Sequence, residues 1–172
     1  MCRAFQQRFF VLRLATLAVA LSNHVLAAAS EWTLLAPPNP QGGAAFGFRA
    51  ISPIDDLTAD GVPDILVGAY RQNAGAFSAG EVYLMDGQTG AHVQTFVSPN
   101  PEAEGFFGHD VLGFTDITGD GLPEIIVGAS PESAGARGSG RVYIIDGATF
   151  GVVRTLPSPN PSFFGQFGLE VA

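Results

Sequence analysis

The stretch "DLTADGVPDILVGAY" (residues 56–70) returns sixty residues later as "DITGDGLPEIIVGAS" (residues 116–130). Over the last thirteen positions of this pair, eight residues are identical. Two further markers recur with it: Phe-Gly at 46–47, 107–108 and 167–168, and Pro-Asn-Pro, preceded by Pro or Ser, at 37–40, 98–101 and 158–161. Self-similarity at a fixed spacing is the signature of a repeat architecture. The chain is therefore a tandem repeat with a unit of about sixty residues.

Each unit contains short segments with the composition of β-strands, and none shows the periodicity of a helix. In the first unit they are "FGFRAIS", "DILVGAY", "EVYLMDG" and "HVQTFV", with Asp-Gly as a turn signal after the third. Four antiparallel strands in a unit of this length predict a β-propeller blade, since solenoid repeats are shorter. The predicted fold class is all-β, built from four-stranded propeller blades. The recurring aromatic residues are predicted to lie in the core: Phe46, Phe107, Phe167, Tyr83 and Tyr143.

The chain holds two complete units and parts of others. "EWTLLAPPNP" (residues 31–40) aligns with the last strand of a unit, and "FGLEVA" (residues 167–172) begins another first strand. We predict a closing strand at 31–40, blades at 41–101 and 102–161, and the start of a third blade at 162–172. Propellers close with about four to eight blades. We therefore expect an incomplete ring in this chain, with the remaining blades supplied by a longer chain.

Residues 1–29 have the layout of a secretory signal peptide: a basic start, a short apolar core at 14–21, and alanines at the end. Arg13 and the absence of acidic residues leave an organelle transit peptide as an alternative. A membrane anchor is disfavoured because the apolar run falls short of the roughly twenty residues that a spanning helix needs. We predict a signal peptide at 1–29 and a partial propeller at 30–172, in a protein that is secreted, periplasmic or on the cell surface.

The composition after residue 29 excludes several kinds of chemistry. This part has no cysteine and no lysine, and it holds 5 arginines against 16 acidic residues, a net charge of −11. It therefore cannot form a disulfide, a thiolate metal site, a phosphate-binding Walker loop or a lysine Schiff base. So acidic a chain also repels nucleic acid. We expect a protein that binds no nucleic acid, and repeats that are not themselves an enzyme, with a catalytic region elsewhere in a longer chain left open.

The acidic loops have the donor pattern of a calcium site. Calcium takes about six to eight oxygen ligands from carboxylates, hydroxyls, carbonyls and water, and closely packed carboxylates repel one another unless a cation lies between them. We number the loop positions from Asp56 and Asp116, each of which is the first. The loops are not EF-hands, because the twelfth position is Val67 or Val127 rather than glutamate. The predicted ligands are Asp56, Thr58, Asp60, the carbonyl of Val62 and Asp64, and then Asp116, Thr118, Asp120, the carbonyl of Leu122 and Glu124.

Two other interpretations of these loops stay open. Aspartate and glycine also form tight polar turns without a metal, and another cation could replace calcium. Duplication copies an empty turn as faithfully as a metal site. The acid at the ninth position, which a plain turn does not need, favours the calcium interpretation.

The Phe-Gly openings, the "VGAY" and "VGAS" segments and the acidic loops together resemble the FG-GAP repeats of integrin α-subunit β-propellers. The same repeat occurs in bacterial and eukaryotic exported proteins, and the resemblance covers residues 31–172. It implies a propeller, commonly of seven blades, with calcium between the first and second strands of some blades. Thr58 and Thr118 depart from the Asp or Asn common at the third position. A neutral hydroxyl there predicts weaker calcium binding.

The long loops at residues 71–80 and 131–140 are the most divergent between the units. By the resemblance, they lie on the face that meets partners. Our first hypothesis is an exported, calcium-stabilised propeller that binds a protein or glycan in surface adhesion, with Arg71, Phe77 and Arg137 as candidate contacts. Two others stay open: a scaffold within a larger exported hydrolase, and a repeat that only spaces or decorates a surface. His109 is expected to be a surface residue.

Overall fold

The computed structural model describes residues 11–13 and 32–172, which contain ten strands and no helix. This part of the chain accordingly has no helical segment long and apolar enough to cross a membrane. The strands are β1 (Val11–Arg13), β2 (Trp32–Leu34), β3 (Ile51–Ile54), β4 (Asp64–Ala69), β5 (Glu81–Met85), β6 (His92–Val97), β7 (Asp110–Phe114), β8 (Glu124–Ala129), β9 (Arg141–Ile145) and β10 (Val152–Pro157).

Two antiparallel sheets of four strands make up most of the fold. Strands β3 to β6 lie side by side in chain order, and so do strands β7 to β10. The two sheets share one register, since Val67 pairs with Tyr83 in the first and Val127 with Tyr143 in the second. The all-β prediction with four antiparallel strands in each unit is confirmed, and the sheets are not closed into a ring.

The short strand β2 lies in the segment predicted to be a closing strand. It pairs antiparallel with β1, in which Leu12 aligns with Thr33. Strand β1 falls within the predicted signal peptide, and the other residues of that segment lie outside the described residues. The signal peptide and the blade boundaries therefore stay predictions.

The two four-stranded sheets pack against each other through one hydrophobic core. Leu66 and Leu84 of the first sheet belong to the same buried cluster as Ile125 and Val127 of the second. Of the predicted core aromatics, Tyr83, Tyr143 and Phe107 are almost completely buried, while Phe46 and Phe167 are partly buried. Burying a large apolar side chain contributes about 1.5–3 kcal/mol, so this shared core joins the two repeats into one body.

Neighbouring units approach closely where two of the repeated motifs meet. A Cβ atom on Gly68 would lie 2.3 Å from the carbonyl oxygen of Gly108 and 2.7 Å from the Cβ atom of Ala50. One on Gly128 would lie 2.1 Å from the carbonyl oxygen of Gly168. Only glycine leaves room for such an approach of two backbones. The glycine of each Val-Gly-Ala segment thus leaves room for the Phe-Gly backbone of the unit that follows.

The third Phe-Gly pair is held in the same way as the second. The N–H of Phe107 donates to the carbonyl of Ala79 at 2.7 Å, and the N–H of Phe167 donates to that of Ser139 at 2.9 Å. The start of the third unit is therefore docked on the second unit in the register that the second unit adopts on the first.

The prediction that His109 lies on the surface is wrong, because neighbouring units cover it. Its side chain is 8% exposed, its Nδ1 lies 3.2 Å from the carbonyl oxygen of Leu169, and its ring contacts that of Tyr70 edge-on at 5.2 Å. Burial lowers the pKa of His109. The histidine therefore belongs to the junction between units.

Gly68→Ala tests whether the Phe-Gly contact limits the spacing of the sheets. The added Cβ would overlap the Gly108 carbonyl oxygen, and overpacking of this kind costs about 1–3 kcal/mol of unfolding free energy. The control is Gly42→Ala, where an added Cβ meets no atom within 4 Å and the expected change is within about 0.5 kcal/mol. Urea unfolding of both variants measures the difference. Equal stability of the two would contradict the proposed contact.

Candidate cation-binding loops

The acidic loops join β3 to β4 and β7 to β8, at the same end of the sheets as the β5–β6 and β9–β10 turns. The loops, the turns and the first residues of β4 and β8 contain no arginine or lysine. This end of the molecule is therefore strongly negative. Its nine acidic residues are Asp55, Asp56, Asp60, Asp64, Asp86, Asp116, Asp120, Glu124 and Asp146.

Asp64 anchors the first acidic loop. Its side chain is fully buried, and its Oδ2 accepts the backbone N–H groups of Leu57 at 2.8 Å and Thr58 at 3.0 Å. Its Oδ1 accepts the N–H of Gly87, in the β5–β6 turn, at 3.0 Å. Hydrogen bonds to an ionised carboxylate are roughly twice as strong as neutral ones. One side chain thus joins the loop, strand β4 and the neighbouring turn.

Asp56 and Thr58 lie beside this anchor. Asp56 accepts the N–H of Gly61 at 2.7 Å and that of Asp60 at 3.2 Å, and the Gly61 N–H holds the pKa of Asp56 below its usual value. The Thr58 hydroxyl lies 3.3 Å from Oδ1 of Asp56 and 3.3 Å from Oδ1 of Asp64. Three of the predicted ligands in the first loop therefore meet around this hydroxyl.

Asp60 points elsewhere in the same loop. Its Oδ1 accepts the backbone N–H of Val62 at 2.8 Å, so its carboxylate closes a local Asx turn. Gly61 has a φ of +90°, which glycine adopts without the penalty that a Cβ imposes. The equivalent Gly121 of the second loop has a φ of +94°, so both loops bend at the same position.

The second loop repeats the arrangement with a longer anchor. Glu124 is fully buried, and its two oxygens accept the N–H groups of Ile117 and Thr118, each at 2.9 Å. Asp116 accepts the N–H groups of Gly119 at 2.7 Å and Gly121 at 2.8 Å. Asp120 accepts the N–H of Leu122 at 2.9 Å, as Asp60 does in the first loop.

The donor chemistry of the first loop fits a hard cation, although its five predicted ligands are not gathered at one point. All the donors are oxygens, which calcium prefers and softer transition metals do not. In the part of the chain that the structure describes, no three His, Cys, Asp or Glu side chains lie close enough together to hold a metal ion. A cation would have to compete with the Val62 N–H for the carboxylate of Asp60.

The candidate ligand contacts lie at the other end of the sheets. Phe77 is 66% exposed, and the guanidinium carbon of Arg71 lies 5.4 Å from the ring centroid of Tyr70. The guanidinium carbon of Arg137 lies 5.8 Å from the ring centroid of Phe164. Arg71 and Phe77 belong to the β4–β5 loop and Arg137 to the β8–β9 loop. All three are exposed.

A buried acidic junction at this second end was missed by the sequence analysis. Glu132, which is fully buried, accepts the hydroxyl groups of Ser98 and Tyr143, each at 2.5 Å, and lies 3.3 Å from Nη1 of Arg141. Burial raises the pKa of Glu132. In the first unit Gln72 replaces Glu132, and its amide donates to a backbone carbonyl. The sequence did contain a sign of this junction, because a charged Glu132 in the second unit replaces the neutral Gln72 of the first.

Comparisons with known proteins agree with the repeat pattern. The family model described as FG-GAP repeat matches residues 48–85 and 110–145. Integrin alpha-10 of Homo sapiens is 36% identical over 97 residues, which cover 54% of this chain and 8% of that protein. Integrin alpha-6 of Gallus gallus is 36% identical over 115 residues, 64% of this chain and 10% of that protein. Integrin alpha-2 of Mus musculus is 30% identical over 107 residues, which cover 58% of this chain and 9% of that protein. The matched region is thus about a tenth of the length of these relatives.

Acid is expected to loosen both loops. Backbone N–H groups, from Gly61 at Asp56 and from Gly119 and Gly121 at Asp116, lower the pKa of each carboxyl. A pKa lowered by folding contributes stability above the unfolded value of about 3.9, and this stability is lost as the pH falls through the folded value. In chelator, Asp56→Asn should therefore lose less stability than the parent protein between about pH 4 and pH 2. Urea unfolding of both proteins at several pH values measures this difference. Equal losses of unfolding free energy in Asp56→Asn and the parent protein would contradict the role assigned to Asp56.

Proposed function

This chain carries two FG-GAP repeats of the integrin-α-like type, and we propose that it forms part of an exported, calcium-stabilised β-propeller that binds a protein or glycan at or outside the cell surface. The observation that carries the proposal is the pair of equivalent acidic loops at one end of two packed sheets. The long loops at the opposite end stay open to a partner. The remaining blades are proposed to come from a longer chain, and residues 1–29 to direct export.

Calcium has a structural role in this proposal. In the first loop it binds Asp56, Thr58, Asp60, Asp64 and the carbonyl of Val62. In the second it binds the equivalent set: Asp116, Thr118, Asp120, Glu124 and the carbonyl of Leu122. When bound, the ion supplies positive charge between carboxylates that otherwise repel one another. The protein contributes the buried anchors and the glycine bends that hold the oxygens near one another.

The first loop is proposed to bind calcium more tightly than the second. The hydroxyl of Thr58 lies between Asp56 and Asp64, so three oxygen ligands are already positioned before calcium binds. In the second loop, no hydrogen bond among the described residues holds the Thr118 hydroxyl against Asp116 or Glu124. Donors that are already positioned lose less conformational entropy on binding.

The partner surface is proposed to include Arg71, Phe77 and Arg137. Arginine and aromatic side chains are the residues that most often dominate binding energy at interfaces, and Phe77 is 66% exposed with its ring in solvent. We propose no catalytic role for these repeats. The His92 imidazole and the Thr95 hydroxyl are 2.8 Å apart, but no carboxylate among the described residues is hydrogen-bonded to the imidazole.

Asp60→Asn separates the calcium proposal from a metal-free turn. Asparagine keeps the acceptor for the Val62 N–H but removes the charge, so stability in chelator should change by less than about 0.5 kcal/mol. Calcium affinity in the first loop should fall at least about tenfold, because a carboxylate ligand becomes a neutral amide. Titration calorimetry with calcium alone measures the affinity.

Asp86→Asn is the matched control. Asp86 lies in the adjacent turn and caps the N–H of Thr89, so the substitution makes the same charge change without removing a proposed ligand. Its calcium affinity should stay within about twofold of the parent protein. Absence of calcium binding in the parent, or an equal loss in both variants, would support the metal-free turn.

A further inference from the structure

A cleft of about 380 Å³ opens between the two sheets at the acidic end of the molecule. The cleft is open to solvent, so it offers a surface for a protruding side chain rather than an enclosed pocket. The cleft is formed where β3 and β7 end side by side, and both acidic loops begin at its edge. None of the proposed calcium ligands lines it.

The walls of the cleft are mostly apolar. Ile54 in its lining is buried, and Phe114 is 40% exposed. Pro53 and Pro63 add rigid apolar surface. An exposed aromatic ring beside prolines offers a face to the methylene groups of a long side chain, or to a cation above the ring.

Asp55 is the charged group on this lining, and its carboxylate makes no hydrogen bond or ion pair with any residue that the structure describes. Its neighbours Asp56 and Asp64 both accept backbone N–H groups. The equivalent of Asp55 in the second unit is Thr115. Asp55 is therefore an exposed carboxylate outside the repeated acidic pattern, beside an apolar surface.

The charge around the cleft indicates whether a bound group would be positively or negatively charged. The nine acidic residues at this end face no arginine or lysine in the same loops and turns. Two bound calcium ions would neutralise four of those nine charges and leave an excess of five negative charges. Complementary charge guides the choice of partner more than it raises affinity, and here it selects a cation.

We propose that this cleft binds a basic side chain, arginine or lysine, of a partner protein. The methylene stem lies along Ile54 and the prolines, and the positive end lies over the Phe114 ring and against the Asp55 carboxylate. The proposal goes beyond calcium binding, because Asp55 is not one of the calcium ligands, and beyond the partner surface of the long loops, which lie at the other end.

The test uses the whole chain and a blocked peptide with two arginines separated by alanine. A peptide with citrulline in place of both arginines has the same shape without the charge. Chemical-shift changes measured by NMR should map to Phe114 and Ile54 with the arginine peptide and be absent with the citrulline peptide. Absence of arginine-peptide binding at millimolar concentration, or equal binding of both peptides, would overturn the proposal.

Variants distinguish the cleft from the general negative charge of this end. Asp55→Asn should weaken arginine-peptide binding about fivefold, and Phe114→Leu, which keeps an apolar wall, should weaken it about threefold. Asp86→Asn makes the same charge change outside the cleft and should weaken it less than twofold. Equal weakening by the two aspartate variants would overturn the proposal. The Asp55 effect is expected both in calcium and in chelator, so failure of the calcium proposal would leave this one standing.

Discussion

The backbones of the second and third Phe-Gly pairs lie directly on the glycine of the preceding unit's Val-Gly-Ala segment, and the packing of one unit on the next depends on this contact. A side chain at Gly68 or Gly128 would push the following unit away, because in each case a carbonyl oxygen occupies the space of the missing Cβ. The contact sets the spacing of the sheets, so that Leu66 and Leu84 reach Ile125 and Val127 in one core. It also repeats the orientation of each unit, which brings both acidic loops to the same end.

The acidic loops show how a carboxylate can be useful before any metal binds. Asp64 and Glu124 are completely buried, and an unpaired buried charge is costly. Each is stabilised by backbone N–H groups of its own loop. These anchors order the loop, while Asp56 and Asp60 remain near its surface. A calcium ion would add to a loop that is already folded, which explains why the same residues suit both a stable turn and a metal site.

Much of the fold could be predicted from the sequence, because the repeat shows which strands are equivalent, and three of the five recurring aromatic residues lie in the core as predicted. The buried position of His109 could not, since it depends on Tyr70 from one unit and Leu169 from another. The same applies to the bond from Gly87 to Asp64, which joins residues far apart in the chain. The ligand types in the acidic loops could be read from their spacing. The turn of Asp60 toward Val62 could not, because local hydrogen bonding competes with the metal for that carboxylate.

We propose that calcium further stabilises acidic loops that are already folded around their buried anchors. Amide hydrogen exchange, measured in calcium and in chelator, tests it most directly. The amides of Gly61, Val62 and Gly87 should exchange more slowly in calcium than in chelator, with little change in the buried strand β4. Identical exchange of these loop amides in both conditions would contradict the claim.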